Sequence, residues 1–206
     1  MTTEHTVQSA SDALRGAVHR ADLDVAARFA AIPAEALVAV TQHLPLSAEL
    51  LAWYALAAPR DAAIPRDPEE LILYDPQTLV ARQEGYRWAV GRRDTIDPAW
   101  DARWLVIGDY GSDPVIAHTD RAGTPIAMAA HGRGAWAPFL VAPSLATYLQ
   151  AVAVWVAVRA IDFRDAIYGA DDVIKPAYRS ALDERLAPVL ADEYRRNWLL
   201  LDEMAY

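Results

Sequence analysis

The short connections between three apolar segments near the middle of the chain constrain its fold more than any other feature. The segments RWLVIGD, PVIAHT and TPIAMAAHG, within residues 103–132, are separated only by short polar turns. Parallel strands need a crossover of roughly a dozen residues or more, whereas antiparallel neighbours can be joined by a tight turn. The spacing therefore predicts an antiparallel β-meander. Its first strand is apolar on both faces, with Leu105 and Ile107 alternating with Trp104 and Val106, which predicts a central position.

Helical periodicity surrounds this meander on both sides. Apolar residues recur at spacings of three and four before residue 58 and again after residue 143. The predicted helices begin near Pro33 and after a Ser47 cap, and later span residues 145–160, 176–187 and 189–203. A further short strand is predicted in APFLVA, just before the longest helix. The order of elements predicts an α+β fold, an antiparallel meander sheet packed against N-terminal and C-terminal helices.

The segment between the first helices and the meander gives more local predictions. Residues 57–70 contain several prolines and are interpreted as a crossing without regular structure. LILYD, residues 71–75, is predicted to be a buried strand. Asp75 and Pro76 are then predicted to open a helix that runs to about Glu84, with Gly85 ending it. Residues 86–103 are expected to be a loop with at most one strand.

Composition excludes several classes of function. The 206 residues include no cysteine, which removes disulfides, thiol catalysis and cysteine-based metal sites. A formal net charge of −9 argues against nucleic acid as a partner and permits a basic protein partner. The most apolar stretch, residues 145–160, is shorter than the roughly 20 residues that a bilayer requires. With no signal-like N-terminus, these features predict a cytoplasmic protein that does not bind membranes.

The polar turn after the first meander strand carries the residues most suggestive of chemistry. Asp109 and Asp113 could be paired carboxylates of a hydrolase, with His131 as a base, but aspartate in a turn more commonly accepts backbone hydrogen bonds. A metal site would have to combine these two carboxylates with His118 and Asp120, and no ligand motif supports it. The glycines of HGRGAW, residues 131–136, match no nucleotide-binding motif and are interpreted as a tight turn or bulge. The turn is therefore predicted to be a chain reversal, with no metal or cofactor.

Three strings in order resemble a known family. LYDPQTLVARQEGYRW, WLVIGDYGSDPVIAHT and AAHGRGAWAPFLVAPSLATYL are similar to the SMI1/KNR4 family, also called the SUKH superfamily, over roughly residues 45–155. Family members usually carry Gly-Gly-Asp at the turn, where this chain has Gly111-Ser112-Asp113. The resemblance implies an SMI1/KNR4-like α+β domain over 31–160. Residues 1–30 and 161–206 are then helical extensions, the second packed on the same domain.

The resemblance implies a non-enzymatic protein-binding module. Many bacterial members of the family look like immunity proteins that neutralise a cognate toxin, so we expect a basic toxin domain as the partner. A regulatory or scaffold module for a non-toxin protein is the alternative, and a hydrolase using Asp109, Asp113 or His131 is the third hypothesis. The acid-rich C-terminal helices could also form a homo-oligomer surface. The residues expected to bind the partner are Arg87, Trp88, Asp109, Tyr110, Asp113, Asp120, Arg133 and Trp136.

Overall fold

Eight strands and seven α-helices form the described part of the chain, residues 3–23, 28–65, 70–93 and 95–201 of a computed structural model. The strands are β1 (Phe29–Ala30), β2 (Ala58–Pro59), β3 (Ala62–Pro65), β4 (Glu70–Leu73), β5 (Trp104–Tyr110), β6 (Asp113–His118), β7 (Ile126–Met128) and β8 (Phe139–Ala142). The helices are α1 (Thr3–Arg20), α2 (Ala34–Thr41), α3 (Ala48–Ala57), α4 (Leu79–Arg82), α5 (Leu145–Val156), α6 (Pro176–Leu186) and α7 (Asp192–Leu201).

A six-stranded antiparallel sheet occupies the centre, in the order β3-β4-β5-β6-β7-β8. Each strand pairs with its neighbour in sequence, as the short connections predict. β5 lies inside the sheet, and Leu105, Val106 and Ile107 are fully buried, which confirms that both of its faces are covered. β1 and β2 form a separate two-stranded sheet. The chain therefore has the predicted α+β fold with a meander sheet.

Side-chain caps fix the start of two of the predicted helices. The Ser47 hydroxyl accepts a hydrogen bond from the Leu50 amide at 3.2 Å and begins α3. The Ser144 hydroxyl accepts one from the Thr147 amide at 3.1 Å and begins α5. Each serine satisfies one of the amides that the first turn of a helix leaves unpaired. Both caps were predictable because their hydrogen bonds are local in sequence.

The segment before the meander differs from its prediction in two places. Asp75 does not begin a helix: its carboxylate accepts a hydrogen bond from the Gln77 amide at 2.8 Å, which forms a turn, and α4 starts only at Leu79. The aspartate satisfies an amide two residues away, a local alternative to helix capping. The crossing at 57–70 contains β2 and β3. Residues 202 and 203, the end of the helix predicted over 189–203, lie outside the described residues.

Helices α1 and α3 pack together, and α1 also lies along α5. The apolar face of α1 is fully covered, with Val7, Ala10, Leu14 and Val18 at most 1% exposed. α5 continues into a π-helical segment, Ala157–Asp162. The stretch Leu145–Asp162 is long and apolar enough to cross a bilayer, but 61% of it is buried inside the fold. It therefore acts as a core helix of this domain.

The two faces of the sheet are covered by different parts of the chain. Cross-strand partners share a face, so Leu71, Tyr110 and Met128 lie with the helices, where they line a narrow apolar cavity against α5 and α7. Trp104 and His118 are also cross-strand partners, on the face that carries Val106 and Ile116. Side chains from the loop after α4 pack against this second face. The candidate site lies there.

Candidate functional site

The turn between β5 and β6 is a tight two-residue chain reversal. Tyr110 pairs with Asp113, and Gly111 and Ser112 between them have φ values of +55° and +74°. Positive φ at both central residues is the mark of a type I′ turn, whose twist suits a β-hairpin. Ser112 therefore adopts the left-handed conformation in spite of its side chain. The predicted reversal is confirmed.

Asp109 supports this turn from within β5. Its carboxylate accepts hydrogen bonds from the Tyr74 hydroxyl at 2.6 Å and from the Ser112 amide at 3.2 Å. Burial raises the pKa of Tyr74, and the hydrogen bond to the negative Asp109 raises it further, so the phenol stays protonated. The Arg82 guanidinium lies 4.8 Å from the centre of the Tyr74 ring. Asp109 thus joins the end of β4 to the turn of the meander.

Asp113 connects the same turn to the loop that follows β7. One oxygen of its carboxylate accepts the His131 amide at 2.7 Å and lies 2.6 Å from Nδ1 of the His131 ring. The two carboxylates therefore hold different partners. Only the Ser112 amide is a donor from the turn itself; the Tyr74 hydroxyl and His131 come from distant parts of the chain. The sequence placed these residues at one turn, and the structure adds the partners Tyr74 and His131.

Four aromatic side chains form the aromatic face: Tyr86, Trp100, Trp104 and Trp136. Trp100 lies at its centre, edge-on to Trp104 and Trp136 at centroid distances of 5.5 and 5.4 Å. Tyr86 lies 5.6 Å from Trp136, and its hydroxyl donates to the Ser112 carbonyl at 3.1 Å. Trp100 is only 4% exposed, whereas the outer rings of Tyr86 and Trp136 are half-buried. The aromatic face therefore has a rigid base and an accessible edge.

Burial raises the pKa of Tyr86, and the neighbouring Asp109 charge adds to the effect. His118, beside Trp104 at 5.9 Å between ring centres, has its pKa lowered by burial because the imidazolium would lose its hydration. Both side chains are therefore held in their neutral forms at neutral pH. The aromatic face carries no charge of its own, and its charges come from the carboxylates around it.

Three of the residues expected to bind a partner are buried and are corrected here to structural roles. Arg87 is 7% exposed and donates to the Ala102 carbonyl at 2.7 Å and to the Trp104 carbonyl at 3.4 Å, so it joins the two ends of the loop 86–103 next to the start of β5. Trp88 is 6% exposed, and Tyr110 is 8% exposed on the helix-covered face. The alternation of aromatic and charged residues in YRW does not show which of these side chains are buried. Burial depends on the rest of the fold.

The remaining predicted residues lie at the surface in two places. Asp120 is exposed and accepts from Arg103 at 3.3 Å; Arg103 also pairs with Asp101. This ion-pair cluster lies next to the end of the aromatic face formed by Trp104. Arg133 and Trp136 belong to the loop that begins at His131. Tyr86 connects Trp136 to the turn that carries Asp109 and Asp113, since its ring contacts Trp136 and its hydroxyl donates to the Ser112 carbonyl. Asp120 lies at the opposite ends of β5 and β6.

No group of three or more histidine, aspartate or glutamate side chains suited to a metal ion occurs within residues 3–23, 28–65, 70–93 and 95–201. His118 and Asp120, which a metal site would have to combine with the turn carboxylates, lie at the far end of β6 from Asp113. Sequence reasoning missed two residues that hold this region together: Tyr74, which donates to Asp109, and Gln83, whose side chain bonds to the backbone of Val106. The sequence places Tyr74 inside the predicted strand 71–75 and Gln83 inside the predicted helix that ends near Glu84, and neither position signals the hydrogen bonds that these side chains form.

Comparison of the chain with protein-family models, with curated proteins and with solved structures gave no match. The structure defines the chain as an α+β domain whose six-stranded antiparallel meander carries helices on one face and an aromatic face with flanking carboxylates on the other.

Proposed function

We propose that this protein is a non-enzymatic, cytoplasmic binding module, an immunity protein that neutralises a toxin by occupying a basic domain of it. The observation that carries the proposal is the aromatic face, which has an accessible edge at Tyr86 and Trp136 and carboxylates at both of its ends. The interface we propose comprises Tyr86 and Trp136 with Asp109, Asp113 and Asp120.

The aromatic edge has the properties of an energetic centre for binding. Tyrosine and tryptophan are enriched among the residues that contribute most to protein interfaces, because they bury a large area with few rotatable bonds. Trp136 and Tyr86 are held by contacts with Trp100 and by the hydrogen bond to the Ser112 carbonyl. Little side-chain entropy is then lost when a partner covers them.

The charges around this edge suit a basic partner. Asp109 and Asp113 lie at one end, and Asp101 and Asp120 lie at the other beside Arg103. The hydrogen bonds from Arg103 lower the pKa of Asp101 to about 2, so this carboxylate is charged at every physiological pH. The whole chain has a net charge of −9, which accelerates encounter with a positive surface.

The same geometry argues against catalysis at the turn. A hydrolytic pair needs two carboxylates that converge on one bond, with a raised pKa on the acid. Here Asp109 holds Tyr74 and Ser112, whereas Asp113 holds His131. These contacts explain both aspartates as parts of the hairpin. We therefore assign them to the interface and to the fold, and not to a reaction.

We propose a toxin as the partner because residues 45–155 resemble SMI1/KNR4 proteins. The alternative is a regulatory complex with a non-toxin protein. The test is co-expression of the chain with a basic toxin domain encoded beside it, scored by cell survival and by co-elution on a sizing column. We expect protection and a complex. A toxin that still kills, with no complex, refutes the immunity function; a stable complex with a non-toxin protein supports the alternative.

Matched variants locate the interface. Asp120→Lys and Glu184→Lys change the net charge equally, but Glu184 is an exposed residue of α6, away from the aromatic face. We expect Asp120→Lys and Trp136→Ala each to weaken the complex at least about tenfold, a change typical of an interface centre, and Glu184→Lys to leave it unchanged. Urea unfolding of each variant verifies the fold. Equal weakening by both lysine variants would mean that only net charge matters.

A further inference from the structure

The loop from Ala130 to Trp136 curls around an open cavity that its own residues line. Gly132 and Gly134 have φ values of +73° and +77°, and Arg133 between them is not among the residues with positive φ. A Cβ added to either glycine would meet nothing within 4 Å. These glycines are therefore needed for the backbone conformation and not for space. The sign of φ therefore alternates along Gly132, Arg133 and Gly134.

Most backbone amides of this loop have no hydrogen-bond partner among the described residues. The His131 amide donates to Asp113, but the amides of residues 132–136 donate no hydrogen bond to any other residue that the structure describes. Successive N–H groups of a turn can line one concavity, which is a recurrent way to bind an anion. Consecutive unpaired donors around a cavity are the property that an anion would satisfy.

Arg133 supplies a charge at the same place. Its side chain is exposed and has no carboxylate partner within the described chain, although most arginines there form an ion pair or a hydrogen bond. Asp113, which contacts the start of this loop, has its carboxylate already bound by the amide and ring of His131. Trp136 is also among the residues that line the cavity.

We propose that this loop, residues 132–136, is a binding site for an oxyanion, the shared chemistry of a phosphate and a carboxylate group. The amides of the loop hold the oxygens, and Arg133 neutralises the charge through hydrogen bonds that charge makes stronger. Trp136 contacts the group that carries the anion. The site does not depend on the proposed immunity function, since a small anion needs no protein partner.

The test is a titration of the ¹⁵N-labelled protein with sodium phosphate, and separately with sodium acetate, at constant ionic strength set by sodium chloride. We expect saturable shifts of the amide signals of residues 132–136 with at least one of the two anions. A response to phosphate alone assigns phosphate groups, and a comparable response to acetate assigns carboxylates. Absence of saturable shifts with both anions overturns the proposal.

Two variants and one control separate a built site from general attraction. Arg133→Gln removes only an exposed charge, and we expect it to weaken binding at least about tenfold, as loss of a charged hydrogen bond does. Gly134→Ala keeps the charge but disfavours the left-handed backbone, and it should weaken binding also. Arg121→Gln removes a different exposed arginine and should change nothing. If Arg133→Gln binds like Arg121→Gln, the inference is wrong.

Discussion

Replacement of Gln83 by methionine tests whether the Gln83 side chain takes the place of a neighbouring strand beside β5. Gln83 is fully buried, and its side-chain amide pairs with the backbone of Val106 in both directions: it accepts from the amide at 3.0 Å and donates to the carbonyl at 2.8 Å. It also donates to the Leu79 carbonyl at 3.1 Å. β4 pairs with β5 only from Gly108 to Tyr110. The Gln83 amide therefore takes the place of a neighbouring strand at Val106.

The magnitude follows from the groups that lose their partners. Methionine has a similar length and no hydrogen-bonding amide, so the Val106 amide and carbonyl would remain buried and unpaired. Each such group costs about 1–3 kcal/mol. The Leu79 carbonyl lies in the first turn of α4 and adds less. Because the methionine side chain is itself better suited to burial, we expect a net loss of about 2–5 kcal/mol in the free energy of unfolding.

Equilibrium unfolding in urea measures this loss. Gln77→Met is the matched control, because Gln77 is exposed and its side chain makes none of these contacts, and it should change the free energy by less than about 0.5 kcal/mol. An unfolding free energy of Gln83→Met within that same margin of the unaltered protein would refute the strand-substitute argument.

Three further predictions concern the meander. Ser112→Gly should raise the unfolding free energy by about 0.5–1 kcal/mol, because it relieves a left-handed serine but adds unfolded-state entropy; a lower urea midpoint would contradict this. Gly108→Ala should prevent or severely weaken folding, since its Cβ would lie 2.4 Å from the Ile72 carbonyl oxygen. Circular dichroism and thermal melting measure the loss of structure, and a native-like melting curve would contradict this prediction. Burial lowers the pKa of His118 below its usual 6.5, so the unfolded chain binds the proton more readily. The free energy of unfolding should therefore fall as pH drops below about 6.5. In His118→Gln this decrease, measured by urea unfolding at pH 7.5 and about 5.5, should be smaller than in the unaltered protein. An equal decrease in both proteins would argue against this reasoning.

Local signals in the sequence were sufficient where the interaction itself is local. The serine caps of α3 and α5 bond to amides three residues away, so a serine before an apolar periodic run predicts them. The same reasoning failed at Asp75, because a turn and a helix cap both use an aspartate next to a proline. The two outcomes differ only in how the following residues pack, and those contacts come from distant strands.

The candidate site was predictable only in outline. The pair Asp109 and Asp113 was found from its turn, but the partners Tyr74 and His131 lie 35 and 18 residues away along the chain. Arg87 and Trp88 were expected at the surface, although both turn inward. The glycines of residues 132–136 predict a turn; that the amides there donate to no other described residue emerges only from the hydrogen bonds of the folded chain.

By itself the sequence determined the antiparallel sheet, because the chain between the apolar segments is too short for any other connection. It also determined the place of the reversal at Gly111 and Ser112. The tertiary structure decided which side chains are accessible, which carboxylate holds which donor, and how Gln83 replaces a strand. These features depend on contacts between residues far apart in the chain, and such contacts leave no periodic pattern in a single sequence.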